Sequence, residues 1–414
     1  MKKHKMYKHG FLLSSVTGLL LPAIAQAGFT EDSTVRLDLR NFYLDRSYIG
    51  NTPDEYSWSQ GADLQYFSGY TDTPLQVGLD VSAQGAVVLG SEGCDGSLPC
   101  DTAESEAADN YGRVGATLKL KYSQTELKIG DHRPHLPIAW DDTSRQLDTI
   151  YEGAVIESHD IDRLTLMAGR YWKLVGRDSS DKEKLYLYPV SNGKTSEGLD
   201  FAGATYDVSK ALSATYFYGV LHDIYSQQYF GLAYNTALTD SVHMVTDVRY
   251  FTNKDDGDAY YGDIDVDALG ARASFMTGSH MLSLSWQKLG GDSVFPTLNN
   301  YVPQPYLIHW SNAAFILPDE QSYGLRYAYN FETLGVPGLN VMANYITSSD
   351  IRLDKMGMTD RDGSQSERDL VLSYTVQEGA LAGLGFEFQD IFLTKSYGDD
   401  FSEFRFTTTY TYNF

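Results

Sequence analysis

The feature that most limits the fold of this chain is an alternation. From Thr34 to Phe414, segments of roughly ten residues place apolar side chains on every second position and polar ones between them. In "TVRLDLRNFY", Val35, Leu37 and Leu39 share one face while Arg36, Asp38 and Arg40 share the other. "YGRVGATLKLKY" sets Val114, Ala116, Leu118, Leu120 and Tyr122 against Arg113, Thr117, Lys119 and Lys121, and "SYGLRYAYNF" sets Tyr323, Leu325, Tyr327, Tyr329 and Phe331 against Arg326, Ala328 and Asn330. A period of two belongs to strands, and here each strand has one oily and one wet face. Helical periodicity is almost missing, and 31 Tyr, 19 Phe and 37 Gly beside only 12 Pro suit a sheet protein rich in aromatic rings.

Short connections take turns with long ones. "GYTDTPL", "YDVSKAL", "NTALTDSV", "MTGSH", "LGVPGL" and "QEGALAGL" are tight. Leu89 to Asn110, His132 to Asp148, Leu174 to Ser196, Lys254 to Asp263, Gly290 to Gln321 and Arg352 to Ser366 are long and polar. Tight turns on one side and long loops on the other describe a transmembrane barrel. Hydrocarbon offers the backbone no hydrogen-bond partner, so a spanning sheet must close on itself. About eighteen segments therefore predict an all-β, transmembrane antiparallel β-barrel, wide enough for an aqueous lumen. The oily face would meet lipid and the polar face water. A soluble sandwich would need two facing apolar cores, and no later segment reaches the ~18 consecutive apolar residues of a membrane helix.

The first 27 residues carry a basic start (Lys2, Lys3, Lys5, Lys8), an apolar run from Phe11 to Ile24, and small residues at Ala25 and Ala27. They read as a secretory signal peptide cut after Ala27, with the barrel over 28–414. Removing the leader takes away four lysines and no acid, moving the formal charge from −23 to −27. Such acidity argues against nucleic acid as a partner. Cys94 and Cys100, in "SEGCDGSLPC", read as a small-loop disulfide of an exported protein, with two free thiols as the alternative. No metal or cofactor is expected, since neither a zinc-type ligand set nor a phosphate-binding glycine loop occurs. The acidic stretch "NKDDGDAYYGDIDVD" lacks the spacing of a twelve-residue calcium loop and reads as a solvated loop toward lipopolysaccharide.

"GFTEDSTVRLDLRNFYLDR", "WSQGADLQYFSGYTD", "LPIAWDDTSRQLDTIYEG", "GGDSVF", "PDEQSYGLRYAYNFETLGVPGLNVMANYI" and "SERDLVLSYTVQEG" resemble the OprD family of substrate-specific outer-membrane channels. That resemblance spans the chain after the leader. It implies a monomeric eighteen-stranded barrel in a Gram-negative outer membrane, narrowed by its third and seventh external loops, and passive uptake of small, mostly carboxylate-bearing nutrients along a row of basic side chains. A loose trimer stays open. The terminal aromatic of "FRFTTTYTYNF" matches what the barrel insertion machinery reads in such proteins, and its strand is expected to close the ring.

The third loop, "DHRPHLPIAWDDTSRQLDT", carries Arg133, Asp141, Asp142 and Arg145. Arg133 and Arg145 could hold a substrate carboxylate through paired hydrogen bonds, or could neutralise Asp141, Asp142 and Asp148. In the seventh loop, Trp310, Ser311 and Asn312 fall where the resemblance places eyelet residues, and Asn312 in place of an acid points toward acidic or neutral solutes. The expected basic wall comprises Arg36, Arg40, Arg113, Lys119, Lys121, Lys128, Arg249, Arg326 and Arg405, weakened by Glu387 and Gln389 on the penultimate strand. Neutral solutes are the other reading, guided by Trp140, Tyr301, Tyr306 and Trp310. A barrel hydrolase would need a serine, a histidine and an acid in contact, and no such motif is visible.

Overall fold

The computed structural model describes residues 27–94, 97–101, 106–187, 193–298, 306–309, 311–359 and 362–414. The expected leader lies outside the described residues apart from Ala27, as do Trp310 and Tyr301. Eighteen long strands form one antiparallel ring: β1 (Thr34–Ile49), β2 (Glu55–Phe67), β3 (Gln76–Ser91), β4 (Asn110–Tyr122), β5 (Thr125–His132), β6 (Ile150–Ile161), β7 (Leu164–Val175), β8 (Leu199–Asp207), β9 (Leu212–Leu221), β10 (Tyr225–Ala237), β11 (His243–Asp255), β12 (Asp265–Thr277), β13 (His280–Gly291), β14 (Gln321–Asn330), β15 (Leu339–Arg352), β16 (Asp362–Thr375), β17 (Gly385–Lys395) and β18 (Asp400–Asn413). Each pairs with its neighbours in sequence. β1 pairs with β2 and also with β18, in a register that sets Leu37 opposite Tyr412 and Leu39 opposite Tyr410. The sheet has no free edge, the condition for crossing hydrocarbon.

Exposure is inverted relative to a water-soluble protein. On β4, Arg113 is 8% exposed and its neighbour Val114 77%. On β18, Phe404 and Phe406 are exposed while Arg405 between them is buried. Alternation turns the apolar set outward to lipid and the polar set inward. The register shifts at Trp58/Ser59, Glu152/Gly153 and Ser348/Ile351 near the loop end of the barrel, and at Ser158/Ile161 beside the turn that follows β6.

Among the described residues, one end of the ring carries short connections, the start of β1 and the end of β18. Two of these turns use non-glycine residues in the left-handed region: Ser123 at φ 56° and Arg163 at φ 61°. At the first, Asp160 accepts from the Ser123 and Thr125 hydroxyls and from the Gln124 N–H, standing in for glycine's freedom with side-chain bonds. The opposite end is not uniformly long-looped. Connections 50–54, 222–224 and 396–399 there are short, a correction to the expectation that long and tight connections segregate by side.

The interior also departs from a simple wet lumen. On the outer half of β6 to β13 the inward residues are Tyr151, Tyr171, Leu199, Phe201, Phe217, Tyr229, Phe251, Val266 and Leu289, each less than 6% exposed. They pack against Ile138, Leu185, Phe295, Leu298, Leu307 and Ile316 from loops that fold inside. A core of soluble-protein type thus fills this side of the barrel, and two smaller apolar clusters lie across from it, around Ile346, Ile391 and Phe401 and around Ala86 and Tyr111.

Candidate functional site

Loop 3 (residues 133–149) and loop 7 (residues 292–320) cross the ring from inside. Loop 3 opens with a two-residue ladder, His135–Leu136 against Ala139–Trp140, whose tip presents Ile138 to Gly219 of β9. A Cβ at Gly219 would lie 3.3 Å from Ile138, so glycine leaves the socket the loop fills. At its far end Gln146 accepts from Ser59 Oγ at 3.0 Å and donates to the Arg40 carbonyl at 3.3 Å. The loop joins adjacent strands β5 and β6 yet spans from β9 to β1 and β2.

Loop 7 docks on the other wall. Ile308 sits on Gly270 of β12, where an added Cβ would come within 2.9 Å. His309 lies between Ser285 Oγ at 3.1 Å and Ser322 Oγ at 2.8 Å, bridging β13 and β14. The N–H groups of Asn312 and Ala313 both donate to the Glu367 carboxylate of β16. The two loops then meet: Tyr306 Oη donates to the His135 carbonyl at 2.9 Å, and its ring lies 5.6 Å from Trp140, which stacks on His135 at 4.6 Å.

Where the loops approach β18 and β1, the site is charged. Arg46 and Arg405 both hold the Glu403 carboxylate, Arg46 also meets Glu55 at 2.7 Å, and Arg405 Nη2 donates to Asn312 Oδ1 at 2.8 Å. Asp142 meets Arg177 of loop 4 at 2.8 Å and accepts the Ser144 N–H at 2.7 Å. Burial would raise the Asp142 carboxyl, but Arg177 and these bonds outweigh it and hold its pKa below the usual value. Asp141 behaves oppposite: burial lifts it to about 6, although its Oδ1 lies 2.9 Å from His135 Nε2. Arg145 is 6% exposed, with Nε donating to Ser97 Oγ of loop 2 at 3.1 Å and Nη1 to the Ser144 carbonyl at 3.0 Å. Burial, then Arg177 and Arg405 nearby, push its guanidinium well below its ordinary pKa. Among the described residues, no carboxylate lies within 4.0 Å of it.

The other basic residues are largely compensated. Arg36 pairs with Asp38 at 2.8 Å, Arg40 with Asp148 at 3.2 Å, Lys119 with Asp80 at 2.6 Å and Lys128 with Glu126 at 3.3 Å. Arg113 donates to Gln84 and to the Gly176 and Asp148 carbonyls, and Lys121 lies 5.5 Å from the Tyr70 ring centre. Arg249 and Arg272 share Asp247, and Arg326 reaches Asn344 Oδ1 at 3.5 Å. Arg133 is committed to Asp63 and Asp148, not joined with Arg145 around one site. Asp141, Asp142 and Asp148 meet His135, Arg177, Arg40 and Arg133, so Arg145 neutralises none of them by contact. Ser311 Oγ donates to the Ala313 carbonyl at 2.6 Å, and Cys94 and Cys100 are joined by a disulfide. On the turn side of loop 3 a cavity of about 530 Å³ is lined by Lys128, Arg133 and His135 beside Asp80, Glu126 and Asp131.

Sequence reasoning missed Arg46, Arg177, Arg272, Glu403 and Ser97. Arg46 continues the even-numbered face of Arg36 and Arg40 and was findable by parity. Arg272 stands between Ala271 and Ala273, small residues that blunt the alternation signal.

Residues 27–414 match the family described as outer membrane porin, OprD family. The chain belongs to the OprD family of outer-membrane porins. Porin D of Pseudomonas aeruginosa is 31% identical over 382 residues, covering 87% of this chain and 85% of that porin. Among solved structures, P. aeruginosa OpdK with vanillate superposes at a TM-score of 0.87, with 33% identity over 94% of this chain and 100% of that one. A BenF-like porin from Pseudomonas fluorescens Pf-5 gives 0.89, with 31% identity at the same coverage. This porin is therefore a passive channel of the Gram-negative outer membrane and not an enzyme. His309, though bonded to two serines, is 4% exposed and pins loop 7; burial, then Arg326, lower its pKa to about 3.

Proposed function

We propose that this porin selects small carboxylate-bearing solutes, organic or aromatic acids and amino acids among them. The observation that carries the reading is Arg145. Most cations of the wall face a carboxylate, whereas this guanidinium lies beside Arg177 and Arg405 with no carboxylate in contact among the described residues. Glu403 and Asp142 nearby offset Arg177 and Arg405 only in part, and a positive charge so placed at a low-dielectric constriction raises the local concentration of anions and speeds their entry without tight binding. The vanillate in the OpdK structure, a carboxylate held by a relative 33% identical, supports the same class. Neutral solutes such as short sugars are the second reading, favoured by the ion-paired wall and the Trp140–Tyr306 edge-on pair. The leader would be removed after Ala27. Lipid, lipopolysaccharide and the barrel insertion machinery would be its partners in the envelope, as a monomer or a loose trimer.

The test is influx into liposomes holding the purified porin, comparing benzoate, arginine, glucose and a disaccharide. Benzoate is expected to enter fastest, and Arg145→Ala to slow it several-fold while heat-modified gel mobility still reports a folded barrel. Equal rates for all four solutes would end the claim of selectivity. Unchanged benzoate flux in Arg145→Ala would return that residue to a packing role.

A further inference from the structure

The disulfide of loop 2 lies next to the eyelet through one hydroxyl. Cys94 and Cys100 are exposed, yet the short segment they close carries Ser97 and Leu98, each 2% exposed. Ser97 Oγ accepts the Arg145 Nε–H at 3.1 Å. Leu98 packs with Leu147 of loop 3 and with Ala86 and Tyr111 of the wall. Both ends of the Arg145–Leu147 stretch are thus gripped by a segment whose ends are covalently tied. Arg145 otherwise bonds its own loop, at Ser144. No other strand or loop donates to or accepts from this guanidinium among the described residues.

We propose that the Cys94–Cys100 disulfide, acting through Ser97, is a positioning element for selectivity. It holds the Arg145 guanidinium at the constriction, where the repulsion of Arg177 and Arg405 is only partly offset by Glu403 and Asp142. A flexible loop would let that charge relax toward solvent, because like charges in a low-dielectric site separate when they can. The crosslink removes that freedom by restricting the loop's conformations. Ser97 adds direction, since a hydroxyl oxygen accepts one guanidinium N–H along a defined line.

This rests on Arg145 being the cation of the eyelet, and not on which nutrient is carried. The experiment is the reversal potential of single channels in a KCl gradient. Dithiothreitol is added to the folded wild-type porin, where the reagent gives two electrons and two protons, leaving two thiols and its own cyclic disulfide. Cys94→Ser/Cys100→Ser, Ser97→Ala, Ser97→Thr and Arg145→Ala are run beside it. The chloride-to-potassium permeability ratio is expected to fall at least twofold on reduction and in the Cys94→Ser/Cys100→Ser and Ser97→Ala variants. Ser97→Thr, which keeps the hydroxyl, retains the wild-type ratio, and the reductant leaves the cysteine-free variant unmoved. A wild-type ratio after reduction verified by thiol labelling, while Arg145→Ala lowers it, would overturn the positioning role and leave the carboxylate reading standing. A silent Arg145→Ala would overturn both. In-situ reduction keeps the test decisive even if a variant fails to insert.

Discussion

Two sides of the same lumen differ in how much of the wall is apolar. On the outer half of β6 to β13 the inward positions hold rings and aliphatic chains, such as Phe251 packed at 4.8 Å from Tyr229 and 5.2 Å from Phe295. On β14 to β18 and β1 to β4, Asn344, Glu367, Asp369, Glu403, Arg405, Asp63 and Lys119, all under 10% exposed, lie among two smaller apolar clusters, Ile346, Ile391, Leu393 and Phe401 with Phe315 of loop 7, and Ala86 and Tyr111 with Leu98 and Leu147. Backbone geometry is the same in both. The difference lies in what covers the wall: loops 3, 4 and 7 build the larger apolar core on the first side. The interior of this barrel is thus shaped partly by where hydrophobic cores have been built inside it.

The largest effect is expected from breaking the dry side. Phe251→Asp places a charge with no partner in a ring cluster and should cost several kcal/mol of loop docking. Single-channel conductance should rise several-fold as loops 3 and 7 come away, while the outward belt keeps the barrel in the membrane. Conductance equal to wild type would mean that the core does not hold the loops.

A smaller change is expected on the wet side. Glu403→Gln removes the carboxylate shared by Arg46 and Arg405; Arg46 keeps Glu55 and the Arg405 guanidinium is left without an acid in contact. The chloride-to-potassium permeability ratio should increase about threefold at low salt and lose most of that gain near 1 M, where the screening length falls to about 3 Å. A ratio that drops instead would show that the pair is not at the solute path.

Smallest is the response to acid, in which the two loops differ in sign. His309 has its pKa depressed from 6.5 to about 3, so the docked loop 7 binds fewer protons than a free one; docking is fullest above pH 6.5 and weakens as pH falls toward 3. Asp141 has its pKa raised from 3.8 to about 6, so loop 3 gains as pH falls from 6 to 3.8. Each is limited to tenfold in its docking equilibrium per pH unit. Current noise should grow between pH 6.5 and 4, and His309→Gln should remove the growth. Noise that persists in His309→Gln would assign the acid response to another group.

The outward half of this fold was legible because lipid imposes one chemistry on it: Leu37, Leu39, Val114 and Tyr327 announce their face by parity alone. The inward half was not, because parity says "inside" without saying whether inside means core or pore. Phe201 and Phe217 face inward, and nothing local distinguishes them from lipid-facing rings. Two turns escaped notice because Ser123 and Arg163 take the left-handed conformation that glycine usually marks. Arg145 could be named from its loop, but its electrostatic surroundings are set by Arg177, Arg405 and Glu403, which are far away in sequence and close in space.

The seam between β1 and β18 also dictates an order of events. Arg36 pairs with Asn413, and Arg46 bonds Glu403 at a separation of 357 residues, so the two ends of the sheet must find each other before that wall exists. Contacts this distant in sequence are the slowest to form, since the chain loses loop entropy before any local gain offsets it. Until then Glu403 has no Arg46 beside it and loop 7 has no Arg405 to bind Asn312. A ring left open would therefore lack one side of its own filter, which makes the charged constriction a late product of assembly.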